Sequence, residues 1–425
     1  MKKIALIFSL AVLLVLGLST AALAATNGPH GGFTTNTASC AQCHKTHTAQ
    51  SSHLILFALV SGSQNDIYRT CTYCHSSTGS SHYDEVDGEI KDGSNLWATS
   101  AGGFQSMPTV EGATSYTTMA TVSSKHNADQ ANNTLVAIPG GSSALKFELR
   151  CDSCHDPHGT QNARQLVPTV TVWNTLGTAY NTVSTIPNGA ISMTVNNPTT
   201  NETITYNDDH INDFCGACHT DYLQTAVNSG STQSGTYTSG LYRHRVGMAA
   251  AGASGYNAAY FALPTSSPAG DVLCVTCHYA HGTTAAVSST TYANGSTLLR
   301  MDERGVCQDC HRKTFSTSQP AVVAASSYQV SATDKNHVVL AFNSYMEKVS
   351  AQTAGNYTVT GTGVTGVSSA QLQPNGVLGK TVLLTLNGSL TTGSSYTITV
   401  NTTTVKDLNG LAVSSTGNTF TFSSK

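Results

Sequence analysis

Apolar residues are unevenly spread along this chain, and their spacing divides it into stretches. Ile4 to Leu18 is an apolar run behind Lys2 and Lys3, closed by Ala22-Leu23-Ala24. That order of charged, apolar and small residues predicts an export signal over 1–24, with the mature chain starting near Ala25. The run is short for a membrane span, and no later run is long enough for one. From 25 to 313 neither a helical nor a strand period persists, which predicts coil, turns and short helices. The exception is Ala190–Val195 and Thr203–Tyr206, which alternate around Asn196-Asn197-Pro198. They predict a β-hairpin inside an insertion of about 167–210. Residues 314–327 are rich in Ser, Thr and Ala around Pro320 and read as a linker. Five strand-like runs follow, His337–Phe342, Asn356–Thr360, Lys380–Leu386, Ser395–Val400 and Asn418–Phe422. Turns of Gly, Asn and Ser separate them, so 328–425 is expected to be an all-β, Ig-like sandwich.

Composition sharpens this picture. Charged residues are only 10% of the chain and the net charge is −3, so no basic surface suited to nucleic acid is encoded. At 39%, hydrophobic residues are scarce, and part of that total sits in the leader. The region from 25 to 313 therefore needs core material that its own side chains do not supply.

The cysteines name a source. All twelve fall in CxxCH motifs: Cys40, Cys43 and His44; Cys71, Cys74 and His75; Cys151, Cys154 and His155; Cys215, Cys218 and His219; Cys274, Cys277 and His278; Cys307, Cys310 and His311. Two thiols separated by two residues reach the two vinyl groups of one haem, and the following His ligates its iron. Disulfides would not require this spacing, and zinc would not require a His after every pair. The expectation is six covalent c-type haems, with those twelve Cys as thioethers and those six His as proximal ligands. About 46 residues per haem across Cys40–Lys313 is too little protein to insulate each one. Arg150, Arg243, Arg245 and Arg304 are expected partners for propionates.

The motifs form three two-haem units. Each opens alike, with His44-Lys-Thr-His47, His155-Asp-Pro-His158 or His278-Tyr-Ala-His281, and an apolar step follows at Leu54-Ile55, Leu166-Val167 or Leu298-Leu299. Ten further His remain for the second axial positions. The candidates are six of the seven residues His30, His47, His82, His126, His158, His244 and His281. His53 and His210 rank lower, and His337 falls in the tail. With imidazole on both sides an iron exchanges electrons and has no vacant position for substrate, so no catalytic residue is expected.

Two resemblances follow from these motifs. Residues 28–313 resemble the OmcS-type hexahaem cytochromes, extracellular proteins that polymerise into conductive filaments. The likeness rests on the six motifs, Cys154-His155-Asp156-Pro157-His158-Gly159, Cys218-His219-Thr220-Asp221, Lys125-His126-Asn127, and Cys277-His278-Tyr279-Ala280-His281. It implies coil and short helices wrapped around a chain of bis-His haems. It also implies a homopolymer in which one protomer lends a His, here at the position of His47, to a haem of the next. The tail departs from that family and resembles the bacterial Ig-like domain of S-layer proteins. The residues concerned are Asn356-Tyr357-Thr358-Val359, Ser394 to Ile398 and Val405 to Gly410.

The expected role is extracellular electron transfer, with other redox cytochromes and extracellular acceptors as partners. The location would be secreted or at the cell surface, with the periplasm as alternative. Competing expectations are a monomeric surface-tethered cytochrome, a multihaem nitrite or sulfite reductase, and an adhesion protein.

Overall fold

The computed structural model describes residues 30, 41, 43–44, 55, 64–92, 95–108, 119–129, 149–173, 179–195, 204–219, 246–252, 263–266, 270–285, 298–301, 305–311, 318–373 and 377–425. The chain divides into two compact units. One comprises Met1–Thr70, Ala128–Ser192 and Ala217–His219; the other comprises Cys71–Asn127, Met193–Gly216 and Thr220–Lys425.

Among the described residues of 64–311, short strands and short helices are joined by turns and irregular backbone, with more strand than the coil-and-helix expectation included. Antiparallel pairs recur. Tyr83–Asp84, Glu89–Asp92 and Asn95–Ala98 form a three-stranded sheet, and Ser106–Pro108 pairs with Met119–Thr121. The hairpin expected near residue 200 forms between Met193–Val195 and Ile204–Tyr206. A second one, Thr169–Trp173 with Ala179–Thr185, precedes it, its alternating Thr and Val suited to a pleated surface. Helices are short, and each CxxCH motif with a described helix lies on one of them.

The tail is a β-sandwich whose two sheets follow from alternation. One sheet has the order Tyr328–Gln329, His337–Ala341, Thr381–Gly388, Val364–Leu372; the other has Tyr357–Thr360, Ser395–Val400, Thr419–Ser423. In Tyr357–Thr360 every second residue is buried, the mark of a strand with one wet face. His337–Ala341 is buried throughout. Val338 and Leu340 enter the main core, while Val339 packs with Leu383 and Val330 on the opposite side. Gly361, at φ +151, sits beneath the Tyr396 ring, where a Cβ would lie 2.2 Å from Cδ1. The Tyr396 hydroxyl donates to the Thr362 carbonyl, so this buried phenol is satisfied.

The domain begins earlier than composition indicates. Val322 N–H donates to Gly417 and Val323 N–H to Ala341, which ties residues of the expected linker into the sandwich. A separate apolar cluster joins Leu263, Met301 and Val306 to Tyr345 and Leu408 of the sandwich, with Cys277 against it.

Candidate cofactor-attachment sites

Four of the described motifs are helical turns closed in one way, while beside Cys218 the helix His210–Gly216 has already ended. The N–H of the motif His donates to the carbonyl of the first Cys: His75 to Cys71 at 3.0 Å, His155 to Cys151 at 2.9 Å, His278 to Cys274 at 3.0 Å and His311 to Cys307 at 2.7 Å. A turn of helix puts residues three apart on one side, so both sulfurs face one way and the His leaves from the end. In two motifs the residue before the second Cys braces the turn. Ser153 Oγ accepts from Arg150 N–H at 3.0 Å, and Thr276 Oγ1 from Leu273 N–H at 2.8 Å. The Asn212 side chain accepts from Cys274 N–H at 2.7 Å. Cys40 lies outside the described residues.

The three-unit repeat is visible in the backbone. His44 bridges Ile55, His155 bridges Leu166 and His278 bridges Leu299, all antiparallel. These partners are the apolar steps read from the sequence. Around the last two bridges the hydrogen bonds also match. Asp156 N–H donates to Gln165 at 2.8 Å and Tyr279 N–H to Leu298 at 2.7 Å; Val167 N–H donates to Cys154 at 3.0 Å and Arg300 N–H to Cys277 at 2.9 Å. Gln165 and Leu298 adopt φ of 55° and 56°, a left-handed turn uncommon for side-chain-bearing residues. The return of the same strained turn marks a common structural demand.

Proximal and distal candidates are oriented through Nδ1. His155 Nδ1 lies 2.8 Å from the Arg164 carbonyl, and His75 Nδ1 lies 3.3 Å from that of Tyr83. A nitrogen that donates in this way leaves Nε2 as the ligating atom. His30 Nδ1 meets the Pro157 carbonyl at 3.1 Å, and His126 Nδ1 meets that of Ala280 at 2.6 Å. Both carbonyls stand two residues after a motif His, so His30 and His126 occupy equivalent positions. His281 Nδ1 lies 2.9 Å from Glu85 Oε2, and His158 Nδ1 lies 3.4 Å from Asp156 Oδ1. His82 is exposed, its ring edge-on to Tyr83. His47 and His244 lie outside the described residues. His210 is paired with Asp213 at 3.1 Å, and that hydrogen bond is the main reason its pKa is raised. His337 is buried against Asp334 in the sandwich.

The rings of His44 and His158 are parallel within 6°, with centroids 6.1 Å apart. Aromatic pairs span about 4.5–7 Å between centroids, so this is a stacked pair, and it brings the first motif His of the first repeat to a distal candidate of the second.

The sulfurs of successive motifs are neighbours. Burial pushes the Cys154 thiol up to about 12, with Cys218 adding to the rise. Burial does the same to Cys277, again to about 12, with Cys307 and Cys310 contributing. A hydrogen bond with Cys215 lowers Cys274. Among the described residues no three His, Cys, Asp or Glu converge as a metal cage.

Arg150 meets Asp152 with two hydrogen bonds of 2.9 Å, an interaction that the expected propionate pairing did not include. Arg243, Arg245 and Arg304 lie outside the described residues. Two residues were missed by the sequence reading. Arg300 is buried, with Nε donating to Val275 at 2.6 Å and Nη2 to Ser100 at 2.9 Å. Glu85 has no motif around it to betray its position near His281.

The sandwich defines the class of the tail: residues 314–424 match the bacterial Ig-like domain family. Among solved structures, the N-terminal part of the bacterial S-layer protein SbsC is similar at 24% identity and TM-score 0.20, over 25% of this chain and 24% of that one. A longer structure of the same surface layer protein, domains 1–6, is similar at 23% identity and TM-score 0.20, over 25% of this chain and 14% of its own. The chain thus spans about a quarter or less of those S-layer chains. No curated protein matches it. Among the described residues no helix is long and apolar enough to cross a membrane.

Proposed function

We propose that this chain is a hexahaem c-type cytochrome that conducts electrons outside the cytoplasm and carries an Ig-like domain at the cell surface. The CxxCH turns carry the reading, each joining its His N–H to the carbonyl of the first Cys, and the nearness of His44 to His158 is consistent with it. A haem iron held by two imidazoles cycles between ferric and ferrous without binding substrate. The chain's own residues do the rest. Helical turns would present paired thiols to a haem, backbone carbonyls at Nδ1 of His75 and His155 would leave Nε2 to ligate its iron, and left-handed residues Gln165 and Leu298 accompany the bridges of His155 and His278 to their apolar partners. Neighbouring sulfurs, Cys154 with Cys218, Cys215 with Cys274, and Cys277 with Cys307 and Cys310, support a row of closely set porphyrin edges.

The pairing also supports polymerisation. His158 belongs to the second unit yet faces His44 of the first. With the same offset, among these three units His47 has no preceding unit to serve and the His278 motif has no following one. A second copy joined head to tail supplies both, in line with the role that the OmcS resemblance gives His47. The Ig-like domain fits surface display, either along such a filament or on a tethered monomer. Electron microscopy of native surface material separates the two: filaments with a continuous haem row, or none.

Replacing His158 with Ala tests the central claim. The holoprotein keeps six covalent haems, and one becomes high-spin and binds carbon monoxide. Six unaltered low-spin haems would remove His158 from ligation.

A further inference from the structure

A distal histidine is tuned through the nitrogen that faces away from the iron, and the described candidates differ there. We infer that Glu85 lowers the reduction potential of the haem that His281 would ligate. The inference rests on the haem reading above and adds to it a residue outside every motif.

His30 and His126 give Nδ1 to backbone carbonyls, which are neutral acceptors. His281 instead places Nδ1 2.9 Å from a carboxylate oxygen, with side-chain exposures of 16% for His281 and 25% for Glu85. His158 also has a carboxylate near, but at 3.4 Å and with its own side chain 78% exposed, so water screens it. The carboxylate beside His281 is thus both closer and more sheltered than the one beside His158.

The surroundings hold this contact in place. Glu85 N–H donates to the carbonyl of His75 at 3.2 Å, and its own carbonyl accepts from Phe104 N–H at 3.0 Å. The Phe104 ring stacks on His281 with centroids 4.7 Å apart. His281 N–H donates to Ala101 at 2.7 Å. Gly282 allows the approach, since a Cβ there would sit 2.2 Å from the Gly103 carbonyl oxygen. Glu85 is therefore fixed by backbone to the second motif and, through Phe104, to the ring it faces.

The electronic consequence is general. The contact lies at ion-pair distance and is not a hydrogen bond, so its effect is the field of the charge: a carboxylate beside the ring of an axial ligand stabilises ferric over ferrous iron, which lowers the potential. Partial burial weakens solvent screening and strengthens the effect.

The test is a spectroelectrochemical titration of the six-haem protein and its E85Q variant. One of the six steps moves to a less negative potential in E85Q, and the other five superimpose on the wild type. E85D keeps a carboxylate and shifts that step less. F104L removes the stacked ring but not the carboxylate, and serves as the control for a merely structural role. Unmoved steps in E85Q, a shift to more negative potential, equal shifts in E85Q and E85D, or an equal shift in F104L would each overturn the assignment. H281A separates this from the underlying reading. If no haem becomes high-spin in H281A, ligation by His281 itself fails. If one does while E85Q titrates as wild type, only the role of Glu85 fails.

Discussion

Between Val338 and Phe420, twenty buried apolar side chains form one cluster, and strands such as Tyr357–Thr360 and Ser395–Val400 alternate around it. Between Cys71 and Val306 the described burial is of another kind. It includes the Trp97 and Asn212 side chains, each with a buried nitrogen lacking a hydrogen-bond partner. It also includes the Arg300 guanidinium, bonded to backbone carbonyls and lying 4.4 Å over the Tyr279 ring, and a set of buried thiols. Buried polar atoms without partners are rare in finished proteins, because each costs about 1–3 kcal/mol. The sandwich also has two such atoms, Asn409 Oδ1 and Ser424 Oγ, yet closes on its own apolar side chains. The comparison sets a domain closed by its own residues beside one that, under the function proposed above, would take part of its core from haem.

The largest expected effect breaks the comparison outright. Chain produced without haem attachment should lose ordered structure between 30 and 313 and retain the sandwich. Limited proteolysis with mass analysis reads this as a resistant fragment starting near residue 318; a resistant motif region would count against a cofactor-built core. The next effect lies inside the sandwich. Leu384 is fully buried, and Leu384→Ala should cost the tail about 2–5 kcal/mol. Far-ultraviolet circular dichroism should then melt earlier, while the haem absorbance of the folded protein is unchanged. The smallest effect sharpens the comparison from the motif side. Leu298 holds a left-handed φ of 56°, so Leu298→Gly should stabilise the motif region by up to about 1 kcal/mol. Chemical denaturation followed at the haem band measures it, and a loss of stability would mean that the Leu298 side chain matters more than its backbone strain.

What could be read from the sequence follows the same division. Ser395–Val400 and His337–Ala341 declare themselves through β-branched residues and flanking turns. Val364–Leu372 does not, because Gly366, Ser368 and Ser369 interrupt the pattern and two register shifts break its alternation. Thr169–Trp173 carries the alternation plainly, within a stretch that composition marks only as an insertion. The CxxCH motifs are legible because the spacing that covalent haem attachment would demand falls within five residues. The apolar partners of the motif His residues are legible because the repeat displays them three times. The pairing of His44 with His158 is tertiary, and 114 positions of sequence carry no local trace of it. Glu85 is more silent still, since a single carboxylate among ordinary turn residues has no distinguishing spacing.

The contact of Tyr345 and Leu408 with Leu263, Met301 and Val306 has a mechanical consequence. A lobe seated by five apolar side chains does not trail on a tether. Its orientation is fixed to the segment bearing the last two attachment motifs, beside Cys277. Were copies strung end to end, their lobes would recur like evenly spaced collars, each turned by the same angle as its conducting row. The outer surface met by neighbouring cells would then be written by the sandwich, and the spacing of that surface by the metal centres beneath it.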